Sequence, residues 1–258
     1  MDKISLIALL LASAFLAAPA AAQDICAGFG PQAPRDISMK DGTNPEIFHL
    51  SDAADQMSLC DIHAHNAAEH KGPGFSVEVS DGTHSGFGCN ESGDLTDAEM
   101  TPVEGAFEGA QPGDTIEVHW VYTTCEVEPG PGLASCVSDR CVNPQLRVES
   151  QVFLLVNDPA ALDFAAFSDI QKTGTRYQTR ALPTDTGTPV VFAGSTTGPS
   201  FTNAACSPYE VTWSVRPQCA KLDINSLNRW AADNPFEEDH AHGIRELVTA
   251  PELLSAIK

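Results

Sequence analysis

Pro112–Cys125, PGDTIEVHWVYTTC, is the stretch on which the reading of this chain turns. Its residues alternate as a strand does, with Ile116, Val118, Trp120 and Tyr122 on one face and Glu117, His119 and Val121 on the other. A half-buried strand carries polar residues toward water. Here the second face holds a carboxylate and an imidazole two residues apart, within touching distance on one side of the strand. If His119 binds a metal through one ring nitrogen, Glu117 is placed to accept a hydrogen bond from its other nitrogen or from a neighbouring ligand, which fixes tautomer and orientation.

That reading needs further ligands, and Asp61-Ile62-His63-Ala64-His65 upstream supplies them. Residues i and i+2 of an extended chain project from the same face about 6–7 Å apart at Cα, since the rise is ~3.3 Å per residue. His63 and His65 can therefore converge on one ion. With His119 from a neighbouring antiparallel strand they give three nitrogens and leave a fourth tetrahedral position open, the arrangement of a catalytic zinc site.

The remainder of the chain sets the frame. Residues 4–22 are apolar, follow Lys3 and end in Ala20-Ala21-Ala22, the pattern of a secretory signal peptide over residues 1–22. The expectation is an exported, periplasmic or secreted protein, with no stable membrane insertion after cleavage. Residues 23–258 are then a single domain with a full core. All eight cysteines (26, 60, 89, 125, 136, 141, 206 and 219) fall in that portion. An even number in an exported chain points to disulfides, of which four bridges allow 105 connectivities. The net charge of −21 argues against nucleic acid or an anionic membrane as partner.

Residues 23–59 read as irregular wrapping, rich in Gly, Pro and Asp. Strands are expected from Leu59, over 74–80, 145–156, 189–194 and 209–215, with a polar insert at 81–110 and a cysteine-stapled loop at 126–144. A short helix is expected over 225–232, and a turn over 251–258. Many short strands and little helix predict a mainly β, minor α+β fold built on a largely antiparallel sheet.

Three pieces of the sequence resemble the carbonic anhydrases of the α and δ classes. His63-Ala64-His65 resembles their H-x-H ligand pair, and Glu117-Val118-His119-Trp120-Val121 their E-x-H-x-V strand. Ala193-Gly194-Ser195-Thr196-Thr197-Gly198-Pro199 followed by Glu210-Val211-Thr212-Trp213-Ser214-Val215 resembles the α-class run G-S-L-T-T-P-P leading into C-V-T-W-x-V. The interval between His65 and His119 is longer than in the α class, and Thr196 and Gly198 depart from its pattern. The stretch HAHNAAEHKG is more similar to the δ-type family.

The resemblance implies a carbonic-anhydrase-like fold, a zinc ion on His63, His65 and His119, and the reversible hydration of carbon dioxide to bicarbonate. Zinc lowers the pKa of a bound water from 15.7 to about 7, giving hydroxide at neutral pH. By the same resemblance Thr197 is the gatekeeper of that hydroxide, and Glu69 accepts the Thr197 proton. Glu117 supports a metal-bound histidine, and Val121, Val211 and Trp213 wall an apolar substrate pocket. A proton shuttle is expected among the histidines, with His70, His84 and His49 as candidates. His240 and His242, in the acidic run EEDHAHG, read instead as the solvated start of a helix.

Two other readings remain at this stage. His63-x-His65-x-x-x-Glu69 has the spacing of a cupin's first motif, and Pro112-Gly113-Asp114 followed by His119 resembles part of its second. That protein would hold iron, manganese or zinc on three histidines and Glu69, as an oxygenase or isomerase. The third reading is a carbonic-anhydrase-related metal-binding protein without turnover.

Overall fold

The structure is a computed structural model and describes residues 28–80, 85–196 and 206–258. The expected signal peptide lies outside the described residues. The strands are β1 (Ser58–Asn66), β2 (Phe75–Ser80), β3 (Ser85–Cys89), β4 (Thr115–Thr123), β5 (Leu146–Val156), β6 (Ile170–Thr173), β7 (Arg176–Thr179), β8 (Val190–Ser195), β9 (Glu210–Val215) and β10 (Ala220–Asp223). Two helices accompany them, α1 (Ala165–Ser168) and α2 (Ile224–Ala231).

Six strands form one sheet in the order β1-β4-β5-β9-β8, with β10 also paired to β5. β4 is antiparallel to both neighbours, and β8–β9 is antiparallel too. β5 is long enough to serve two partners along its other edge. Arg147–Ser150 runs parallel to β9, and Phe153–Val156 runs parallel to β10. The fold is thus mainly β and largely antiparallel, as expected, with the two parallel pairings as additions.

The organising strand behaves as its alternation predicts. Every residue of β4 is buried. Ile116, Val118, Trp120 and Tyr122 pack on one side of the sheet with Ile62, Phe153, Phe164 and the α2 residues Ile224 and Leu227. Val121 faces the other side, with Val148, Val152, Phe192 and Trp213. Each large apolar side chain so buried contributes roughly 1.5–3 kcal/mol. A strand covered on both faces has no water to hydrate Glu117 and His119, so their polar atoms need partners within the protein.

Several elements escaped the sequence reading. β3 and a 3-10 turn (Asn90–Asp94) lie inside the expected polar insert. The β6–β7 hairpin and β10 are built of four-residue strands, too short for an alternation to stand out. The helix near 225–232 is α2, whose N-cap Asp223 accepts from the Asn225 backbone N–H.

Among the bridges with both cysteines in the described residues are Cys60–Cys136, Cys89–Cys219 and Cys125–Cys141. The first two close long loops, at sequence separations of 76 and 130, and on the chain-entropy model such crosslinks stabilise by about 4–5 kcal/mol each. Cys125–Cys141 pinches the base of the excursion between β4 and β5, as the sequence suggested.

Candidate metal centre

The antiparallel register of β1 and β4 sets His63 directly opposite His119 and His65 opposite Glu117. All four side chains point to the side of the sheet opposite the α2 core, because β-strand faces alternate. The three imidazoles crowd together, with ring centroids 5.1 Å apart for His63–His65, 5.1 Å for His63–His119 and 4.7 Å for His65–His119. One nitrogen from each ring lies within 4.8 Å of the others.

The second nitrogen of each ring decides what the first can do. His63 Nδ1 bonds Asp61 Oδ2 at 2.7 Å, His65 Nδ1 bonds the Gly243 carbonyl at 2.9 Å, and His119 Nε2 bonds Glu117 Oε1 at 3.1 Å. Every one of those partners is an acceptor, so in the neutral ring that nitrogen carries the proton. His63 Nε2, His65 Nε2 and His119 Nδ1 are left with lone pairs turned inward. His63 Nε2 and His119 Nδ1 stand 3.2 Å apart. Two lone pairs at that distance repel unless a cation lies between them, and ~3.3 Å is the separation of two nitrogens bound tetrahedrally to zinc at ~2.0–2.1 Å. The donor set, its spacing and its tautomers fit a zinc ion.

The electrostatics agree. Burial presses the pKa of His63 down, but the adjoining Asp61 carboxylate together with Glu238 and Glu69 outweighs it and the net shift is upward. Burial dominates at His65, taking it down to about 3, and also lowers His119. The metal-free site thus holds one histidine that attracts positive charge and two that stay neutral, ready to ligate.

Glu117 is the hub beneath the site. It is fully buried and accepts from His119 Nε2, His70 Nδ1 (2.8 Å) and Ser150 Oγ on Oε1. Oε2 accepts from the backbone N–H groups of Glu69 (2.7 Å) and His70 (3.2 Å). Burial alone would raise its pKa, but His70 and His119 more than reverse that and hold it well below the usual carboxylate range. Glu69 also turns into the site. Its Oε1 accepts from the Arg245 backbone N–H at 3.0 Å, with the Arg245 guanidinium Nε at 3.8 Å and His65 Nδ1 at 3.6 Å. Against burial, His65 and Arg245 lower its pKa to about 2. Glu69 is an ionised acceptor beside the triad and not among the three convergent ligand nitrogens, and the sheet is open, which removes the basis of the cupin reading.

The site opens into a cleft of about 680 Å³, within the usual range for a small-molecule site. Val121, Val148 and Trp213 line its apolar wall, and Thr196 reaches it. Val211, expected in that wall, is fully buried in the core on the same side and does not line the cleft. His70 is also displaced from its expected role. It is fully buried, against Trp213 and Phe192, so it has no contact with water for a shuttle to use. His49 is exposed and away from the cleft. Thr197 and His84 lie outside the described residues.

Sequence reasoning missed the mouth of the cleft. His240 and His242 do not start a helix: the segment Glu238–His242 lies along the outer edge of β1. Glu238 Oε1 accepts from the Ala64 N–H (2.7 Å), His242 N–H donates to the Ala64 carbonyl (2.8 Å) and Asn66 N–H to the His242 carbonyl (2.8 Å). The His242 ring is 5.9 Å from that of His63 and 5.3 Å from that of His240. Both line the cleft and are about half exposed. Asp61 was missed too, although Asp61-x-His63 repeats the spacing of Glu117-x-His119 and carries the same signal.

No curated protein matches the chain at a significant level. Among solved structures, it is similar to an α-carbonic anhydrase from Photobacterium profundum, at 16% identity over 88% of each chain with a TM-score of 0.30. It is also similar to an α-carbonic anhydrase from Thermovibrio ammonificans solved with the inhibitor sulfanilamide, at 13% identity over 82% of this chain and 83% of the other, TM-score 0.26. The family model described as delta carbonic anhydrase matches residues 54–226, two thirds of the chain and the span that holds the three histidines, Glu69 and Glu117. The chain belongs to the delta carbonic anhydrase family.

Proposed function

We propose that this protein is an exported zinc carbonic anhydrase, a carbonate dehydratase that interconverts carbon dioxide and bicarbonate, acting through residues 23–258 after removal of a signal peptide. The observation that carries the reading is the convergence of three ring nitrogens, His63 Nε2, His65 Nε2 and His119 Nδ1, each ring held by an acceptor on its opposite nitrogen. Zinc held there would acidify a water to a pKa of about 7 and so supply a nucleophile at neutral pH.

The chain's own groups have distinct tasks. Asp61, the Gly243 carbonyl and Glu117 orient the three rings. Val121, Val148 and Trp213 give an apolar wall on which a small nonpolar gas displaces water without losing hydrogen bonds. Glu69, ionised beside Arg245, is an acceptor that polarises a hydroxyl donor and so orients whatever that hydroxyl accepts. Thr197, next to the cleft residue Thr196, is our candidate for the hydroxyl. Protons leave by His242 and His240, the imidazoles between the triad and solvent. Three disulfides support an oxidising compartment, periplasmic or extracellular. Among the described residues no helix is long and apolar enough to cross a membrane.

Stopped-flow hydration of carbon dioxide by the purified chain, with metal content measured on the same sample, tests the proposal. Turnover with about one zinc per chain is expected. A folded, zinc-loaded sample without turnover would overturn it in favour of a non-catalytic metal-binding protein.

A further inference from the structure

The excursion between β4 and β5 is not needed to complete the sheet, yet Pro131, Gly132, Leu133 and Ala134 from it face the histidine cleft. Beyond the pinch at its base, it is carried back to β1 by Cys60–Cys136, both cysteines fully buried. A β-bulge makes that attachment possible. In a regular strand residues 60 and 61 point to opposite faces. The register irregularity between Leu59 and Asp61 lets Cys60 join the core on the histidine side while its neighbour Asp61 reaches His63 on the same side.

The loop therefore meets β1 at three successive contacts. These are the disulfide, the Gly130 N–H on the Cys60 carbonyl at 3.0 Å, and the Gly132 N–H on Asp61 Oδ1 at 3.2 Å. The other oxygen of Asp61 holds His63 Nδ1 at 2.7 Å. Asp61 is 1% exposed, so water does not replace a lost partner. Gly132 reaches its place with φ +67°, a conformation that glycine adopts without strain.

We propose that the stapled loop is a working part of the metal centre: Asp61 is the positioning residue of His63, and the Cys60–Cys136 bridge sets the metal affinity of the site by holding Asp61 in place through Gly132. This rests on the metal-binding reading above. With the bridge gone, the Gly132 N–H is no longer pinned against Oδ1. Asp61 is then fastened at one oxygen alone, and the direction in which it aims the His63 ring is no longer fixed. Metal affinity falls because the site must be ordered at the moment of binding.

The test is zinc affinity of the full chain by competition with a chromophoric chelator, with near-ultraviolet circular dichroism as the control for folding. Asp61→Ala and the pair Cys60→Ser/Cys136→Ser are each expected to bind zinc about 10–100-fold more weakly, the range for loss of a group that orients a ligand. Asp61→Asn recovers part of that loss, since its carbonyl oxygen still accepts from His63. All three substitutions together bind no more weakly than Asp61→Ala, because the bridge acts through the aspartate. Should the cysteine pair fail to fold, Gly132→Ala serves in its place. A Cβ there meets nothing within 4 Å, so this variant keeps the bridge and disturbs only the backbone that presents the N–H, and weaker zinc binding is expected. Wild-type affinity in Asp61→Ala, or a further drop from the cysteine pair on top of it, overturns the proposal. A wild-type chain that binds no zinc overturns the metal reading itself, a different pattern.

Discussion

Replacing Glu117 with glutamine should cost more stability than almost any other near-isosteric change in the sheet. The carboxylate receives five donors: three on Oε1 from His70, His119 and Ser150, and two on Oε2 from the backbone of Glu69 and His70. An amide has a single acceptor oxygen. If it takes the Oε1 position, its NH2 group faces two backbone N–H groups that cannot turn away. Each buried donor left without a partner costs about 1–3 kcal/mol, so Glu117→Gln loses roughly 2–6 kcal/mol. In the opposite orientation three donors lose their acceptor, and although Ser150 can rotate, the two histidines must change tautomer, so the cost is no smaller. Total stability of a protein is of order 5–15 kcal/mol, which makes this a large fraction.

Thermal unfolding and urea denaturation at pH 7 read the effect, and a chain of this size loses about 2–4 °C of Tm per kcal/mol. A drop of roughly 4–24 °C is expected. The same substitution frees the tautomer of His119, whose Nδ1 must stay unprotonated to ligate, so zinc affinity should fall about 10–100-fold. A variant within about 1 °C of wild type and with unchanged zinc affinity would refute the claim that Glu117 is the hub of the site.

Other outcomes follow from the same geometry. His119→Ala removes one of three ligands and should abolish stoichiometric zinc binding and turnover while the disulfide-bonded fold persists; zinc retained at one per chain would refute the triad. The metal-free protein should lose stability in acid. His65 is neutral in the fold down to about 3 but takes a proton below 6.5 when unfolded, so it costs about 1.4 kcal/mol per pH unit across that window. His119, also lowered, adds the same sign, and Glu69 adds it as pH falls from 4.5 to about 2. His63 has a raised pKa, so its contribution is present below 6.5 and opposes nothing further into acid. A urea midpoint that is flat or rising from pH 7 to pH 4 would contradict this. Finally, His240→Ala/His242→Ala should lower kcat in weak buffer by about 100-fold or more, the range for loss of a proton-transfer group, with kcat/KM unchanged and imidazole restoring the rate. A kcat insensitive to both substitution and buffer would exclude that exit.

The convergent histidines and the central strand were legible because their signals are local. Period-two alternation names the faces of β4, and H-x-H and E-x-H place polar groups on one side of a strand whatever lies around them. The abundance of disulfides was likewise a matter of composition, an even number of cysteines along the chain. What joins those local pieces is not local. The register that sets His63 against His119 depends on the pairing of two strands separated by a long, mostly irregular segment. His70 sits in a polar run that reads as exposed, yet the unmet need of a buried carboxylate on another strand draws it inward. The acidic segment holding His240 and His242 reads as solvated, and only the open edge of β1 gives its backbone a partner. Cysteine pairing, the bulge at Cys60 and the reach of the stapled loop to Asp61 depend on which distant surfaces meet in space. The sequence by itself determined which chemical groups the site contains, because side-chain type and strand periodicity act over a few residues. Beyond the i,i+2 partners Glu117 and Asp61, which groups hold them in place was decided by tertiary structure, because a buried charge or an unpaired backbone group is satisfied by whatever the fold brings within about 3 Å, regardless of distance along the chain.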